Sequence, residues 1–225
     1  MKTSKLTWSQ YIRYGLGRRI SLIGQRLGAD PLIYNPLVML KFHEDAHRDA
    51  PKVVPAVIST FPDAKSFFDV GCGSGVFAAE LQTHNRRVVA CERSRVGRWL
   101  AVRQGVDCRD FDLTRPAPCN VTGRFDVVSC FEVAEHLPIE LGDKLVRFIC
   151  DHAAHVIFTA AHPGQGGTGH INEQPQQYWI DRFRSHDFNY LQSTSESLSE
   201  KFRRADASHY FAANVCVFSH AERNS

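Results

Sequence analysis

Two carboxylates and an imidazole lie within five residues of one another near the middle of the chain, in the segment FEVAEH at residues 131–136. If this segment turns helically, Glu132, Glu135 and His136 stand at positions i, i+3 and i+4 and share one face. An imidazole titrates near neutral pH and therefore suits a general base. Carboxylates beside an imidazole are also a ligand set for a divalent metal. The segment predicts proton transfer by His136 beside Glu132, or metal binding.

A glycine-rich loop, AAHPGQGGTGHINEQP at residues 160–175, carries two more histidines and is called the flap loop below. It does not end in G-K-[ST], which excludes a phosphate-cradling P-loop, and its glycines predict mobility. We expect His162 and His170 to reach the cluster, His162 as a catalytic or substrate-contacting residue. The expected metal ligands are Glu132, Glu135, His136 and His170. Magnesium prefers oxygen ligands, so two imidazoles are unusual for it, although other divalent ions accept them. A cluster that binds no metal is therefore an alternative.

The sequence DVGCGSG at residues 69–75 follows a short apolar run and leads directly into the helical VFAAEL. Glycines let the backbone turn sharply and approach a ligand, while the amino terminus of the helix opens toward it. Glu92 ends the next apolar run about twenty residues on, where a carboxylate can accept hydrogen bonds from ribose hydroxyls. Asp69 would repel a pyrophosphate but suits a cationic amino-acid group. These residues predict a nucleoside ligand other than a nicotinamide dinucleotide.

Short apolar runs alternate with helical stretches after Pro62, the pattern of a parallel sheet covered on both faces. The expected strands are 67–70, 88–91, 106–108, 125–130, 156–159, 188–191 and 214–218. The expected helices in this part of the chain are 76–83, 96–104, 139–154 and 176–185. These units place the glycine turn, Glu92 and the FEVAEH segment at the carboxyl edge of one α/β sheet, where such sheets bind ligands.

The glycine turn with its acidic partner resembles the class I S-adenosylmethionine-dependent methyltransferases, over roughly Ser66 to Ser219. The stretch EVAEHL is similar to that of small-molecule methyltransferases, including O-methyltransferases of the ubiquinone pathway. The resemblance implies a Rossmann-like, seven-stranded, mostly parallel sheet with helices on both faces and a C-terminal antiparallel hairpin. It also implies that S-adenosylmethionine is the cofactor.

Within this resemblance, Asp69, Gly71 and Gly73 line the methionine side of the cofactor and Glu92 holds the ribose. Asp112 accepts from the adenine amine, with Asp110 as its rival. The cofactor-binding residues so implied are Asp69, Gly71, Cys72, Gly73, Gly75, Glu92, Arg93, Asp112, Leu113 and Phe131.

Methyl transfer from a sulfonium is a direct displacement, so the protein mainly aligns the reactants in a dry site. A hydroxyl acceptor must lose its proton, which a base or a metal can arrange. We expect transfer to a hydroxyl of a small molecule or glycan precursor. There are two alternatives. The first is a metal-dependent RNA ribose 2′-O-methyltransferase, a class in which a later histidine joins an E-x-x-E-H motif; His170 is the nearest counterpart of that histidine here. The second is a catalytically silent cofactor-binding regulatory module. Tyr178, Trp179, Tyr210 and Phe211 are expected in the core, or as an aromatic wall for a substrate.

Residues 8–27 have apolar residues at three- and four-residue steps with arginines between them, which predicts an amphipathic helix. Gly15 and Gly17 weaken this helix, so two shorter helices are an alternative. Its apolar face is expected to pack on the core. A lid over the substrate, or contact with a lipid surface or anionic partner, are the alternatives. A second helical stretch is expected over 43–50, before Pro51 and Pro55. The expected organisation is a helical arm at 1–55 and a methyltransferase domain at 56–225.

The 225 residues are 43% hydrophobic and 23% charged with a formal charge of +3, which is ordinary globular usage without the basic excess typical of nucleic-acid binders. Seven cysteines contain no C-x-x-C pair, which favours reduced thiols. No run of about 18 apolar residues and no hydrophobic signal core occur. The sequence therefore predicts a cytoplasmic protein without a membrane span, and it leaves the oligomeric state open.

Overall fold

In the computed structural model, which describes residues 8–27 and 29–221, a seven-stranded sheet is covered by helices. Its strands are β1 (Ser66–Val70), β2 (Arg87–Glu92), β3 (Asp107–Asp110), β4 (Phe125–Phe131), β5 (Ala153–Thr159), β6 (Phe188–Tyr190) and β7 (Cys216–His220). The helices are α1 (Trp8–Leu27), α2 (Asp30–Ile33), α3 (Pro36–Thr60), α4 (Val76–Thr83), α5 (Arg95–Arg103), α6 (Gly142–His152), α7 (Gln176–Arg184), α8 (Gln192–Arg204) and α9 (His209–Asn214). The predicted α/β class is confirmed.

The strand order is β3-β2-β1-β4-β5-β7-β6. Strands β1 to β5 are parallel, and β7 lies antiparallel between β5 and β6. Because β1 pairs with both β2 and β4, the chain winds away from it in two directions and leaves a crevice at the carboxyl ends of β1 and β4. The expected antiparallel pairing at the C-terminal end is present, although α8 and α9 join its two strands instead of a tight turn.

The sheet is buried on both faces. Along β1, Phe67 and Phe68 are fully buried but belong to different hydrophobic clusters, since neighbouring side chains of a strand point to opposite faces. Phe68 packs with residues of α6 and α7, and Phe67 with residues of α3, α4 and α8. This two-sided burial explains why the strands appear in the sequence as continuous apolar runs.

Helix α3 contradicts the expectation that a helix ends before Pro51. It begins at the cap residue Asn35, whose side chain accepts from two backbone amides, and continues through Pro51 and Pro55 to Thr60. An internal proline removes a helical hydrogen bond and costs about 3 kcal/mol. Burial of Val53 and Val57 against the sheet offsets this cost. The expected boundary between residues 55 and 56 consequently falls inside α3.

Helix α1 is continuous as expected, but the prediction that its apolar face packs on the core is wrong. The face that packs holds Gly17, Ser21 and Gly24, and a β-carbon added at Gly17 would lie 2.8 Å from Leu37 Cβ. The small residues let the backbones approach closely, so the larger aliphatic side chains of α1 face solvent. Among the described residues, no helix is long and apolar enough to cross a membrane.

Helices α2, α8 and α9 were not predicted, and the helix expected over 139–154 has different ends. Helix α8 is rich in serine, a weak helix former, but Leu198 and Phe202 stand one turn apart and are fully buried. Helix α9 occupies residues that the sequence suggested as the approach to the last strand. The helix expected over 139–154 begins at Gly142, after a single 3-10 turn, and Ala153 already belongs to β5.

Candidate active site

A cavity of about 440 Å³ lies at the carboxyl ends of β1 and β4. The glycine turn forms one part of its wall, and the residues after β4, the flap loop, α3 and α9 form the rest. The lining residues are Lys41, Phe42, Asp45, Ala46, Asp69, Gly71, Cys72, Gly73, Ser74, Phe77, Phe131, Glu132, His136, Gln165, Gly166, Gly167, Thr168, His170, Tyr210 and Phe211. The cavity therefore joins the predicted cofactor turn to the predicted catalytic segment.

The glycine turn requires glycine for two reasons. Gly71 and Gly75 have φ of 73° and 75°, in the left-handed region that side chains disfavour. A β-carbon would also lie 2.5 Å from Val133 Cγ2 at Gly71, and 2.6 Å from Ala101 Cβ at Gly75. A β-carbon at Gly73 would meet no described atom within 4 Å. The backbone at Gly73 thus borders open space that a ligand can occupy.

Asp69 is the buried carboxylate of this wall, with 3% of its surface exposed. It accepts a hydrogen bond from Ser129 Oγ at 2.8 Å. Burial raises the pKa of Asp69 to about 6, and the negative charge of Glu92 adds to the rise, whereas the Ser129 hydrogen bond opposes it. A cationic ligand group beside Asp69 would favour its ionised form.

Glu92 braces the glycine turn. Its Oε2 accepts from the backbone N–H of Gly73 at 2.9 Å, and its Oε1 from that of Ser94 at 2.6 Å. Burial raises the pKa of Glu92, while these backbone hydrogen bonds lower it. A carboxylate has about four acceptor sites, so each oxygen retains capacity for a further donor such as a ribose hydroxyl.

Asp112 and Asp110 are engaged by their own neighbourhood. Asp112 Oδ1 accepts from the N–H and hydroxyl of Thr114 at 2.9 and 2.6 Å, and these contacts help to lower its pKa. Asp110 forms ion pairs with Arg98 and Arg115 at 2.7 and 2.6 Å. Neither carboxylate belongs to the described lining of the cavity, so the adenine contact through Asp112 stays a prediction.

Cys72 lines the cavity, and its Sγ lies 3.6 Å from that of Cys108. The hydrogen bond with Cys108 and burial raise the pKa of Cys72 well above its usual value. Cys72 is therefore a neutral thiol at physiological pH.

Glu132 follows β4 with a φ of 53°, which is rare for a residue other than glycine and costs about 1–3 kcal/mol. Its carboxylate accepts from Gln165 Nε2 and from Asn214 Nδ2, each at 3.0 Å. Asn214 Nδ2 also donates to Gln165 Oε1 at 2.9 Å. These three side chains connect the end of β4, the flap loop and the end of α9.

Residues 134–136 form a single 3-10 turn instead of the expected helix, and Glu132 precedes this turn. Glu135 is fully buried, and neither of its carboxyl oxygens has a hydrogen-bond partner among the described residues. Burial raises the pKa of Glu135 well above its usual value, and the charge of Glu132 raises it further. Burial, together with the nearby His170, lowers the pKa of His136 to about 4. His136 is therefore a neutral imidazole, and its buried Nδ1 has no partner among the described residues.

The flap loop brings His170 to this pair. The rings of His136 and His170 are nearly perpendicular, with centroids 4.9 Å apart. His170 Nδ1 lies 2.8 Å from Glu173 Oε1, and Glu173 is itself held by the backbone N–H groups of Gly164 and Gly166. One potential ligand atom from each of Glu135, His136 and His170 lies within 4.8 Å of the other two. Three of the four predicted metal ligands thus come together.

Not all of the remaining predicted residues line the cavity. His162 is exposed, with its Nδ1 3.2 Å from its neighbour's carbonyl, so it does not join the cluster as expected. Five implied cofactor residues line the cavity: Asp69, Gly71, Cys72, Gly73 and Phe131. The other five lie outside its described lining: Gly75 caps α4, Glu92 ends β2, Arg93 follows it, and Asp112 and Leu113 follow β3.

Sequence reasoning missed several side chains of the site. Gln165 and Asn214 hold Glu132 although they lie far from it in the chain, and no sequence signal marked them. Glu173, three residues after His170, had a signal, because a histidine ligand commonly donates to a nearby carboxylate. Of the aromatic residues suggested as a substrate wall, Tyr210 and Phe211 line the cavity, whereas Trp179 is buried in the core.

The fold and these residues agree with a known family, since a family model described as a methyltransferase domain matches residues 42–207. The chain belongs to this methyltransferase-domain family. Its match covers more than half of the chain, including the glycine turn, the segment after β4 and the flap loop.

Two proteins with curated descriptions are similar to part of this methyltransferase-family chain. A dTDP-4-amino-2,3,4,6-tetradeoxy-D-glucose N,N-dimethyltransferase of Saccharopolyspora spinosa is 33% identical over 115 residues, which are 47% of this chain and 43% of the relative. A ubiquinone biosynthesis O-methyltransferase of Azotobacter vinelandii is 29% identical over 121 residues, 52% of this chain and 48% of the relative. The match thus spans less than half the length of each relative.

The same fold occurs in the solved structure of CalS10 with bound SAM, an amino pentose methyltransferase from Micromonospora echinaspora. It covers 78% of this chain and 92% of CalS10, with a TM-score of 0.56 and 15% sequence identity. At that identity the likeness concerns the fold alone.

Proposed function

We propose that this methyltransferase-family chain transfers a methyl group from S-adenosylmethionine to a hydroxyl of a small molecule or glycan precursor. The observation that carries the proposal is the single cavity whose wall contains both the glycine turn with Asp69 and the residues Glu132, His136 and His170. The wall formed by the glycine turn suits the cofactor, and the wall formed by Glu132, His136 and His170 suits an acceptor that must lose a proton.

The cofactor fits the glycine-turn side of the cavity by charge and by shape. The ammonium group of the methionine portion pairs with Asp69, because this carboxylate attracts a cation and repels a phosphate. The open backbone at Gly73 admits the ligand, and Glu92 has acceptor capacity for the ribose hydroxyls. The SAM bound to the structurally similar CalS10 supports this assignment.

The choice of oxygen over nitrogen rests on the buried cluster. A neutral amine attacks the methyl carbon with its own lone pair, whereas a hydroxyl becomes a strong nucleophile only as its proton leaves. The neutral imidazole of His136, which lines the cavity, is the means of removing that proton. The curated relatives include both an N-methyltransferase and an O-methyltransferase, so the acceptor atom needs a direct test.

The first test is calorimetric titration with S-adenosylmethionine in the presence of a chelator, followed by assays with methyl-labelled cofactor. We expect cofactor binding without metal, and labelling of nucleotide sugars or phenols. Failure to bind the cofactor would overturn the whole proposal. Labelling of amino sugars alone would overturn the hydroxyl assignment, and labelling of RNA alone would favour the ribose methyltransferase alternative. In the same assay His136→Ala should lower turnover about 10²-fold or more, with cofactor affinity nearly unchanged.

We further propose that Glu135, His136 and His170 hold a divalent cation. Two unpartnered oxygens on a buried carboxyl, a neutral buried imidazole and a second imidazole oriented by Glu173 fit a metal centre with a supporting carboxylate. Two imidazoles favour zinc, manganese or iron over magnesium. Such a cation lowers the pKa of a bound hydroxyl. His136 then acts as a ligand, and Glu132, held by Gln165 and Asn214, faces the acceptor side of the cavity.

This metal proposal predicts that Glu135→Gln weakens the binding of manganese or zinc at least tenfold, because the variant lacks the only carboxylate of the three ligands. Equilibrium dialysis of the protein with each metal measures the change. Glu140→Gln, which alters an exposed carboxylate nearby, is the matched control and should bind metal as the wild type does. Absence of metal binding by the wild type would remove the metal and leave His136 as the base.

A further inference from the structure

Helix α1 presents an aliphatic stripe to solvent. Ile12, Leu16, Ile23 and Leu27 are 59%, 52%, 53% and 69% exposed. At 3.6 residues per turn these four positions fall within an arc of about 60° and extend over roughly 22 Å of the helix. Surface helices normally turn their apolar stripe toward the core, so this exposure calls for a partner.

The stripe is not the face by which α1 packs on the protein. The packed face holds Gly17 and Gly24, where a β-carbon would lie within 2.8 Å of Leu37 Cβ and 2.6 Å of Ile33 N. Asn35 Nδ2 also donates to the carbonyl of Gly17 at 3.0 Å. These contacts fix the rotation of α1, so the stripe cannot turn inward without losing them.

The charge of α1 specifies the partner. The helix has four arginines and no acidic residue. Arg13 pairs with Glu44 at 2.5 Å, whereas Arg18, Arg19 and Arg26 are exposed and have no ion pair among the described residues. Helical geometry places Arg19 and Arg26 along one margin of the stripe. Aliphatic side chains bordered by arginines match the boundary between the acyl chains and headgroups of an anionic bilayer.

We infer that the exposed face of α1 is a docking surface for an anionic lipid bilayer. A second copy of the chain would place arginine beside arginine when the stripes met. A nucleic acid would pair with the arginines but leave the aliphatic stripe in water. A bilayer with anionic headgroups covers both, and this inference does not depend on the proposed methyl transfer.

The residues that follow α1 lie next to the flap loop of the cavity. Helix α2 follows α1 directly, and a β-carbon at Gly169 in the flap loop would lie 3.2 Å from Ile33 Cγ2. The ring of Tyr34, the next residue, stands edge-on to His136 with centroids 5.8 Å apart. The α1–α2 segment is thus in contact with the flap loop, and docking brings that side of the molecule to the lipid surface.

The test is co-sedimentation of the full chain with vesicles of phosphatidylcholine alone, or of phosphatidylcholine with phosphatidylglycerol. We expect binding to the anionic vesicles at least tenfold stronger than to the neutral ones, and weaker binding as salt rises. The double variant Leu16→Ser with Ile23→Ser should bind the anionic vesicles at least tenfold less well, because it removes half of the stripe. Both positions are exposed, so the fold should be retained, and circular dichroism checks this.

Two further variants keep the outcome decisive. Arg19→Gln with Arg26→Gln should reduce binding to anionic vesicles and leave the weak binding to neutral vesicles unchanged. Val102→Ser on α5 removes a 59% exposed aliphatic side chain outside α1 and should have no effect. The inference is overturned if the wild type ignores anionic vesicles, if the stripe variants bind them fully, or if those variants instead abolish a dimer seen by light scattering. Binding to an RNA oligonucleotide that depends on the arginines but not on the stripe would also overturn it.

Discussion

Asp69 and Glu135 are both buried carboxyl groups at the same sheet edge, but their surroundings differ. Asp69 accepts a hydrogen bond from Ser129, whereas the oxygens of Glu135 have no partner among the described residues. Both have pKa values raised by burial, since a charged carboxylate is poorly solvated there. At the residue scale, we propose that each group binds a cationic partner, an ammonium for Asp69 and a metal ion for Glu135.

The raised pKa of Asp69 predicts a pH dependence of cofactor binding. Above pH 6 the carboxylate is ionised and pairs with the ammonium of S-adenosylmethionine. Below pH 6 it must first lose a proton, so the dissociation constant should rise toward tenfold per pH unit. Calorimetric titration between pH 5 and pH 8 measures this. Asp69→Asn should bind more weakly at pH 8, by about 1.5–3 kcal/mol, and lose most of the dependence; a variant with the wild-type profile would contradict the assignment.

The hydrogen bonds that hold Glu132 give a second prediction at this scale. Asn214→Asp replaces an amide donor with a carboxylate at the position that now donates to Glu132. The loss of a charge-assisted hydrogen bond and the new repulsion should lower the free energy of unfolding by about 1–3 kcal/mol. Urea denaturation measures it, with Asn120→Asp at an exposed position as the control. Equal stability of the two variants would argue that Asn214 does not hold Glu132.

At the scale of elements, α1 shows how glycine placement decides which side of a helix packs. Its glycines have unequal surroundings, because nothing lies within 4 Å of a β-carbon at Gly15, whereas one at Gly24 would be 2.6 Å from Ile33 N. The helix therefore uses Gly24 for close approach to α2 and gains nothing from Gly15.

This contrast predicts opposite effects of the same substitution within one helix. Gly15→Ala should raise the free energy of unfolding by up to about 1 kcal/mol, since alanine is the better helix former. Gly24→Ala should lower it by about 1–3 kcal/mol, because the added methyl group meets the backbone of α2. Paired urea denaturation curves measure both, and a stabilising Gly24→Ala would contradict the described packing of α1 on α2.

At the scale of the whole molecule, α3 belongs to the core of the sheet although its first half precedes the expected domain boundary. Val53 and Val54 are buried against residues of β1 and α8, whereas none of the apolar side chains described in α1 is fully buried. We propose that the residues before Asn35 contribute little to the stability of the sheet domain, whereas helix α3, which follows Asn35, contributes much.

Two truncations test this division. A chain that begins at Asn35 should retain cooperative unfolding with a small loss of stability, because it keeps all of α3 and its cap. A chain that begins at residue 56 also loses Val53 and Val54, each of which contributes about 1.5–3 kcal/mol, and should be strongly destabilised. Thermal unfolding followed by circular dichroism distinguishes them. Similar stability of the two chains would support the boundary between residues 55 and 56.

Local patterns in the sequence determined the fold class, the glycine turn and the catalytic segment. Alternating apolar runs specify buried parallel strands, and turn glycines specify backbone conformations, so both can be identified without knowing what they contact. The resemblance to the methyltransferases implied Asp69, Gly71 and Phe131 as cofactor residues, and all three line the cavity. The motif EVAEH with the later His170 implied the grouping of Glu135, His136 and His170.

Contacts between distant segments decided the rest. Gln165 and Asn214 meet Glu132 only because the flap loop and α9 converge on the end of β4. Helix α3 continues through two prolines because its buried valines offset the lost hydrogen bonds. The periodicity of α1 identified a helix with an apolar stripe, but close packing at its glycines placed that stripe in solvent. Sequence periodicity thus specifies which residues share a face, whereas tertiary packing selects which face is buried.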